Sequence, residues 1–205
     1  VLFDSKYIIK SEEDEEVLKG YLKLVKKEDG DLIKVRKNSK KNFIGVQPKT
    51  LELMNLTSES MVNILSDYTV TDKADGERYI LYTHSDNRVY LINNRLNINY
   101  TGYTHNMKDS ILDGEYITKD KHGNKLNMFL IFDVYYLKGK NVSKYPLMKD
   151  VIKSRINLIN EYLKEGFKGK NNDNLKIDLK NFYNSDILKN SKKILNNFKN
   201  KDLYK

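Results

Sequence analysis

The sequence predicts an α+β domain: mostly antiparallel sheets with flanking helices. Two observations lead there. Between residues 67 and 137 one strand-like segment follows another, each alternating apolar and polar positions and rich in β-branched and aromatic side chains. The joints between them are turn chemistry, as at Ser85-Asp86-Asn87 and Lys121-His122-Gly123-Asn124. Helical patterns flank this run.

In order from the N-terminus, "SEEDEEVLKG" reads as a short charged helix. "YLKLVKKEDGDLIKVRK" alternates on both sides of "EDGD" and predicts a hairpin turning at Asp29-Gly30. "NSKKNFIGVQPKTLE" predicts a loop, with Pro48 stopping any regular element before it. "LTSESMVNILSDY" predicts a helix capped by Thr57 or Ser58, with Met61, Ile64 and Leu65 on one face. Strands are expected at 67–73, 78–84, 88–93, 110–118 and 126–137. Pro146 then opens a long helix over 147–165, whose apolar stripe is Leu147, Val151, Ile152, Ile156, Ile159 and Leu163. "FKGKNNDN" reads as a loop, "LKIDLKNFY" as a strand and "SDILKNSKKILNNFK" as a final helix. No internal repeat is visible.

The 205 residues suffice for one domain of ordinary size with a real core. A net charge of +9 favours polyanionic partners, namely nucleic acid, nucleotides or an acidic protein, without choosing among them. The absence of cysteine excludes disulfides and thiolate metal sites and fits a reducing compartment. His84, His105 and His122 are scattered without metal-ligand spacing. No apolar run approaches a membrane span and no signal peptide is visible. The chain begins at Val1 rather than Met, so a processed polypeptide or a piece of a longer one is expected.

Three motifs carry chemistry. The first is Lys73-Ala74-Asp75-Gly76-Glu77-Arg78. A charged hairpin with Asp75-Gly76 at its tip would use the same residues. The alternative is a nucleophilic lysine. It attacks phosphorus only as the free amine, so partial desolvation and nearby cations would have to lower its pKa from about 10.4. Gly76 would let the backbone approach a nucleotide closely, and Arg78 would offer two donors to ribose or phosphate. The second is "ILDGEYI", where Asp113, Gly114 and Glu115 interrupt an apolar strand. A glycine there marks a bulge or a close backbone approach, and a carboxylate needs a hydroxyl, cation or metal to meet. A turn at Asp113-Gly114 is the competing reading. The third is "FLIFDVYYLKGK", in which Asp133 breaks an apolar strand. It reads either as a core strand whose Asp meets a local donor, or as an aromatic plate, Phe132, for a purine base with Asp133 bracing it.

Taken in order, these motifs resemble the covalent nucleotidyltransferase superfamily of ATP-dependent DNA ligases, RNA ligases and mRNA capping guanylyltransferases. That family is marked by K-x-D-G-x-R, a later arginine, an acidic strand and an F-D strand. The matches here are Lys73 to Arg78, Arg95 in "INNRLN", Glu115, and Phe132-Asp133. The resemblance implies that Lys73 is the nucleophile on the α-phosphate and that Arg78 and Arg95 contact ribose or phosphate. It makes Glu115 a ribose or metal contact and Phe132 the base-stacking ring. Asn94 departs from the family, where Ser or Asp precedes the second arginine.

"GVQPKTLELM", the compact interval from Lys73 to Glu115, and the stretch "FLIFDVYYLKGKNVSKYPLMKDVIKSRINLI" followed by "LKIDLKNFY" resemble the capping branch. The likeness is greater to guanylyltransferases of large cytoplasmic DNA viruses and related elements. That likeness makes Lys180 a candidate reader of the guanine O6. It implies GMP transfer from GTP through lysyl-GMP to a 5′-diphosphate RNA end, with Mg²⁺ or Mn²⁺. It also implies a cytoplasmic protein off the membrane, with triphosphatase and methyltransferase domains or subunits as partners.

The implied fold is a nucleotidyltransferase domain, ATP-grasp-like and DNA-ligase-like. Residues 45–205 would form it, and residues 1–44 would be an N-terminal segment or a linker from a preceding domain. The domain would stop before its acidic glycine motif, its K-x-K strand and the OB-fold. Two alternatives stand beside this reading: an ATP-dependent DNA or RNA ligase with a lysyl-AMP intermediate, and a non-catalytic basic nucleic-acid-binding module.

Overall fold

The computed structural model describes residues 9–27, 30–61, 63–120, 122–148, 153–169, 174–184 and 186–200. Three helices come first: α1 (Ser11–Leu24), α2 (Leu32–Lys37) and α3 (Ser39–Asn42). The strands β1 (Val70–Thr71), β2 (Glu77–Thr83), β3 (Arg88–Asn93), β4 (Ile98–Thr104), β5 (Ser110–Lys119), β6 (Lys125–Leu137) and β7 (Lys140–Asn141) follow. Helix α4 (Arg155–Glu165), strands β8 (Lys176–Leu179) and β9 (Phe182–Tyr183) and helix α5 (Ile187–Asn200) complete the order. The α+β expectation therefore holds, with the strands largely antiparallel.

The main sheet runs β4-β3-β2-β5-β6-β7, and β8 pairs with β6 in parallel. Both of its faces are covered, which is why β2 and β3 are buried almost without interruption rather than at alternate positions. Ile80 and Tyr82 face Val17, Leu18, Tyr21 and Leu22 of α1. Tyr79 and Leu81 face the opposite core, closed by Ile156, Ile159 and Tyr162 of α4. A separate ribbon, β1 with β9, stands beside the sheet.

Several expectations need correcting; the strand expected at 67–73, for one, shortens to β1. The hairpin at Asp29-Gly30 does not form; Asp29 itself lies outside the described residues, but Tyr21–Leu24 are the last turn of α1 and 32–37 is α2. The apolar set Val17, Leu18, Tyr21 and Leu22 continues one helical face through the segment read as alternating. Asp31 then caps α2 by accepting from Ile33 N and Lys34 N. The helix expected within 56–68 is replaced, among the described residues, by a 3₁₀ turn at Leu53–Leu56 and irregular backbone. Met61 is fully exposed and Leu65 39% exposed, so Met61, Ile64 and Leu65 do not form one buried apolar face. Polar side chains turn back on the local chain instead, as when Asn63 donates to Ser60 O and accepts from Leu65 N.

The long helix begins at Arg155, not Leu147, because Ser154 caps it and the carbonyls of Pro146 and Leu147 accept from Arg155 N and Ile156 N; Val151 and Ile152 lie outside the described residues. The single strand expected at 175–183 is two, broken at Lys180-Asn181, where the chain leaves the main sheet for the ribbon. Strand β4, absent from the expected set, pairs with β3 across a bulge between Arg88 and Tyr90.

Residues 9–44, expected as a segment ahead of the domain, pack onto the sheet through α1. Its Glu13 holds Arg88 and the Tyr90 hydroxyl, and Tyr21 donates to Asn42 O. The expected final helix is present as α5.

Candidate functional site

Lys73 lies on the bridge between two sheets. Strand β1 ends at Thr71 and β2 begins at Glu77, and they pair with different partners, so Asp75-Gly76 is not a hairpin tip. The bridge passes over β5. Gly76 N donates to Glu115 Oε1 at 2.9 Å, and a Cβ at position 76 would stand 2.5 Å from Tyr116 O. Glycine is required here by contact with β5 itself, whereas the sequence reading assigned the close approach to a nucleotide.

The Lys73 amine differs from its expected condition. Its side chain is 78% exposed and its Nζ sits 3.0 Å from Asp75 Oδ1. The Asp75 hydrogen bond and charge hold the ammonium above the ordinary lysine value, and Glu115 adds to this. Desolvation is too slight to lower it, so the fold presents Lys73 charged, not as a free amine.

Opposite the bridge, the sheet gathers the other motif residues. In the β2–β5 register Arg78 faces Glu115 and Ile80 faces Asp113; in β5–β6, Asp113 faces Asp133. Half-buried Phe132 carries the Arg78 guanidinium 5.6 Å from its ring centre and the Lys180 ammonium 5.9 Å from it. Lys180 is 7% exposed, and its Nζ lies 4.0 Å from Glu115 Oε2. Burial pulls its pKa below the ordinary lysine value, while Glu115 and Asp72 oppose the shift. Its place follows from the break between β8 and β9. Lys180 N still donates to Ile131 O, but its neighbour Asn181 already accepts from Thr71 Oγ1 of the ribbon.

Arg78 is more deeply committed than the sequence suggests. Its Nε and Nη2 grip Asp113 at 3.0 and 2.5 Å, and its Nη1 donates to Val46 O. Asp113 is fully buried and also accepts from the Tyr135 hydroxyl at 2.6 Å. Burial pushes its carboxyl up; Arg78 and Tyr135 pull it down. The turn reading of Asp113-Gly114 gives way to the close-approach reading: a Cβ on Gly114 would lie 2.4 Å from Phe129 Cζ. Asp133 does not reach the cleft's cations by a hydrogen bond. It pairs with Arg155 Nε at 3.2 Å and so ties α4 to the sheet.

Lys73, Asp75, Gly76, Glu115, Phe132 and Lys180, with Arg78 beside them, thus meet around one cleft. Arg95 stands apart on the exposed β3–β4 turn, sharing with Arg78 and Asn94 the wall of a separate cavity of about 520 Å³. Among the described residues no three His, Cys, Asp or Glu side chains gather as a metal cage. Glu115 offers a carboxylate beside Lys180, a ligand that suits a hard ion shared with phosphate oxygens. Sequence reasoning missed Asp72, Tyr135, Arg155 and Phe43, whose ring lies 5.7 Å from Arg78. Only Asp72, a carboxylate beside the lysine, left a readable signal.

Two comparisons bear on this geometry. The chain matches the family described as mRNA capping enzyme, catalytic domain, over residues 10–205. It is 31% identical to a probable mRNA-capping enzyme of Acanthamoeba polyphaga mimivirus, a match covering 74% of this chain and 14% of that protein. The chain therefore spans about one seventh of that relative's length.

Proposed function

Because the chain belongs to the family of mRNA capping enzyme catalytic domains, we propose that it is an mRNA guanylyltransferase. It moves GMP from GTP through a covalent lysyl-GMP to the 5′-diphosphate end of RNA. The observation that carries this reading is that Lys180 meets both the Phe132 ring and Glu115, and that Glu115 also holds the Lys73 bridge through Gly76 N.

Phe132 stacks on the guanine, and Lys180, held above that ring, donates to O6. Arg78 at the cleft, and Arg95 in the neighbouring cavity whose wall the two share, are the contacts to ribose and phosphate oxygens. Lys73 must lose a proton and its Asp75 partner before it can attack. Binding a triphosphate beside Glu115 reorganises that pair, because Asp75 and the phosphates compete for the same ammonium. Lys73 Nζ then attacks the α-phosphorus in line. The N–P bond forms, the bond to the bridging oxygen breaks, and pyrophosphate leaves with that electron pair. In the second step a β-phosphate oxygen of the RNA end attacks the same phosphorus and Lys73 regains its amine. Glu115 would hold Mg²⁺ or Mn²⁺, which would offset charge on the triphosphate.

RNA reaches the cleft over a basic flank. Between Asp31 and Glu52 the chain carries Lys34, Arg36, Lys37, Lys40, Lys41 and Lys49 and no carboxylate. This stretch joins the cleft where Phe43 meets Arg78 and Val46 O accepts from Arg78.

Incubation with α-labelled GTP or ATP, followed by denaturing electrophoresis, tests the reading. GTP should label the protein, ATP should not, and Lys73→Ala should abolish the label. Labelling by ATP alone would instead indicate a ligase; no label from either nucleotide would leave a basic binding module.

A further inference from the structure

Two buried charged residues stand close together at the cleft, and one of them keeps an oxygen without a hydrogen-bond partner. Asp72 is 7% exposed, and its Oδ2 is buried without a hydrogen-bond partner. Its Oδ1 has Thr71 Oγ1 at 3.4 Å, a hydroxyl already engaged with Asn181 O at 2.6 Å. Lys180, equally buried, has its nearest paired carboxylate at 4.0 Å, beyond hydrogen-bond range. The ribbon brings the two together: Thr71 stands opposite Phe182 in the β1–β9 register, which carries Asp72 to the level of Asn181 and Lys180. The Asp72 carboxylate also attracts the Lys180 ammonium.

A dry carboxylate oxygen is unfavourable unless something meets it, and the Lys180 ammonium has its paired carboxylate only at 4.0 Å. One flat group meets both at once if it carries donors beside an acceptor. Guanine has that edge: N1–H and N2–H₂ next to O6. Adenine offers an acceptor at N1 beside a donor at N6, so it would set a lone pair against the carboxylate and a proton against the ammonium.

Resting on the guanylyltransferase reading, we propose that Asp72 is a specificity-determining residue. Its carboxylate accepts from guanine N1–H and N2–H₂ while Lys180 donates to O6 over the Phe132 ring.

The test uses the whole protein, with Asp72→Ala and Asp72→Asn, and three nucleotides that differ only at the base: GTP, ITP without the 2-amino group, and XTP with an oxygen in its place. Dissociation constants and covalent labelling are measured for each. The wild type should bind GTP about tenfold more tightly than ITP, the scale of one charge-assisted hydrogen bond. Asp72→Ala should lose that gap. Asp72→Asn, whose amide can donate to the xanthine oxygen, should shift preference toward XTP by about tenfold relative to GTP. That gain cannot arise from misfolding. Equal GTP:ITP:XTP ratios in all three proteins, or a wild type indifferent between GTP and ITP, overturn the assignment and leave Asp72 as a counter-ion of Lys180. Base-selective binding through Asp72 without a covalent label would instead overturn the transfer reaction and keep the base contact.

Discussion

Asp133 keeps a carboxylate where water reaches it poorly, and burial lifts its pKa from 3.8 to about 6 against the pull of Arg155. The folded state therefore holds the proton more tightly than the unfolded chain. The stability this group contributes is fully present below pH 3.8, declines as pH rises to about 6, and is flat above that. The size is at most about 3 kcal/mol. Asp133→Asn removes the titration, so the stability of the variant minus that of the wild type should climb between pH 4 and 6 in urea unfolding and then level off. A difference independent of pH would mean that the Arg155 pair sets the energy at every pH. The sequence exposed Asp133 as an anomaly in an apolar strand but could not show its partner, because Arg155 lies beyond the long connection between β6 and α4. The same holds for Arg78. Its motif spacing pointed to a ligand contact, while Asp113 and the Tyr135 hydroxyl, which meet it only once β2, β5 and β6 are paired, hold its fork. Lys73, Glu115 and Phe132 were legible because a charge or ring in a fixed strand order survives without knowledge of packing.

Elements were legible where one face had a clear destination. Strands β2, β3, β5 and β6 fall within a residue or two of expectation, since their apolar runs are closed on both sides by α1 and α4. The helix expected within 56–68 failed for the converse reason. Its periodicity is real, but Met61 is fully exposed and Leu65 is 39% exposed, and periodicity with so little burial does not offset the entropy of ordering a helix. Strand β4 escaped notice because Gly102, at φ +81°, and the nearby bulge interrupt its alternation. Gly114 shows the opposite case, a glycine that keeps an element intact. β5 and β6 approach so closely there that an added methyl would overlap Phe129 Cζ and stand 2.7 Å from Leu130 O. Gly114→Ala should therefore destabilise the protein by about 1–3 kcal/mol, the usual cost of overpacking. The chemical-denaturation midpoint measures it. Because Glu115 is the next residue, a shifted strand should also weaken GTP binding. A variant as stable as the wild type would show that the β5–β6 packing can relax, and the positioning of Glu115 would then need another support.

At the scale of the molecule, charge is segregated rather than mixed. Helix α1 presents Glu12, Glu13, Asp14, Glu15 and Glu16 in its first turns, whereas the stretch from Lys34 to Lys49 carries cations only. One ion pair, Arg36 to Asp14 at 2.5 Å, joins the two regions, and Lys34, Lys37, Lys40 and Lys41 remain exposed. The net charge of +9 predicted a polyanionic partner without a direction; the fold supplies one, because this flank ends on Arg78 at the cleft wall. If RNA takes that path, the lysines act on the chain behind the reacting end, not on the end itself. Replacing Lys34, Lys37, Lys40 and Lys41 with Glu should raise KM about tenfold or more for a 5′-diphosphate RNA of roughly twenty nucleotides at near-physiological salt. A 5′-diphosphate dinucleotide, too short to reach α2, should be affected far less. The dependence of log KM on log salt should flatten by about 0.7 for each RNA phosphate that the variant no longer neutralises. GMP adduct formation, which involves no RNA, serves as the reference for folding and for the first step. Equal effects on the long and the short acceptor would place the RNA elsewhere. The charge segregation would then serve the packing of α1 against α2, through the Asp14–Arg36 pair, and not the substrate.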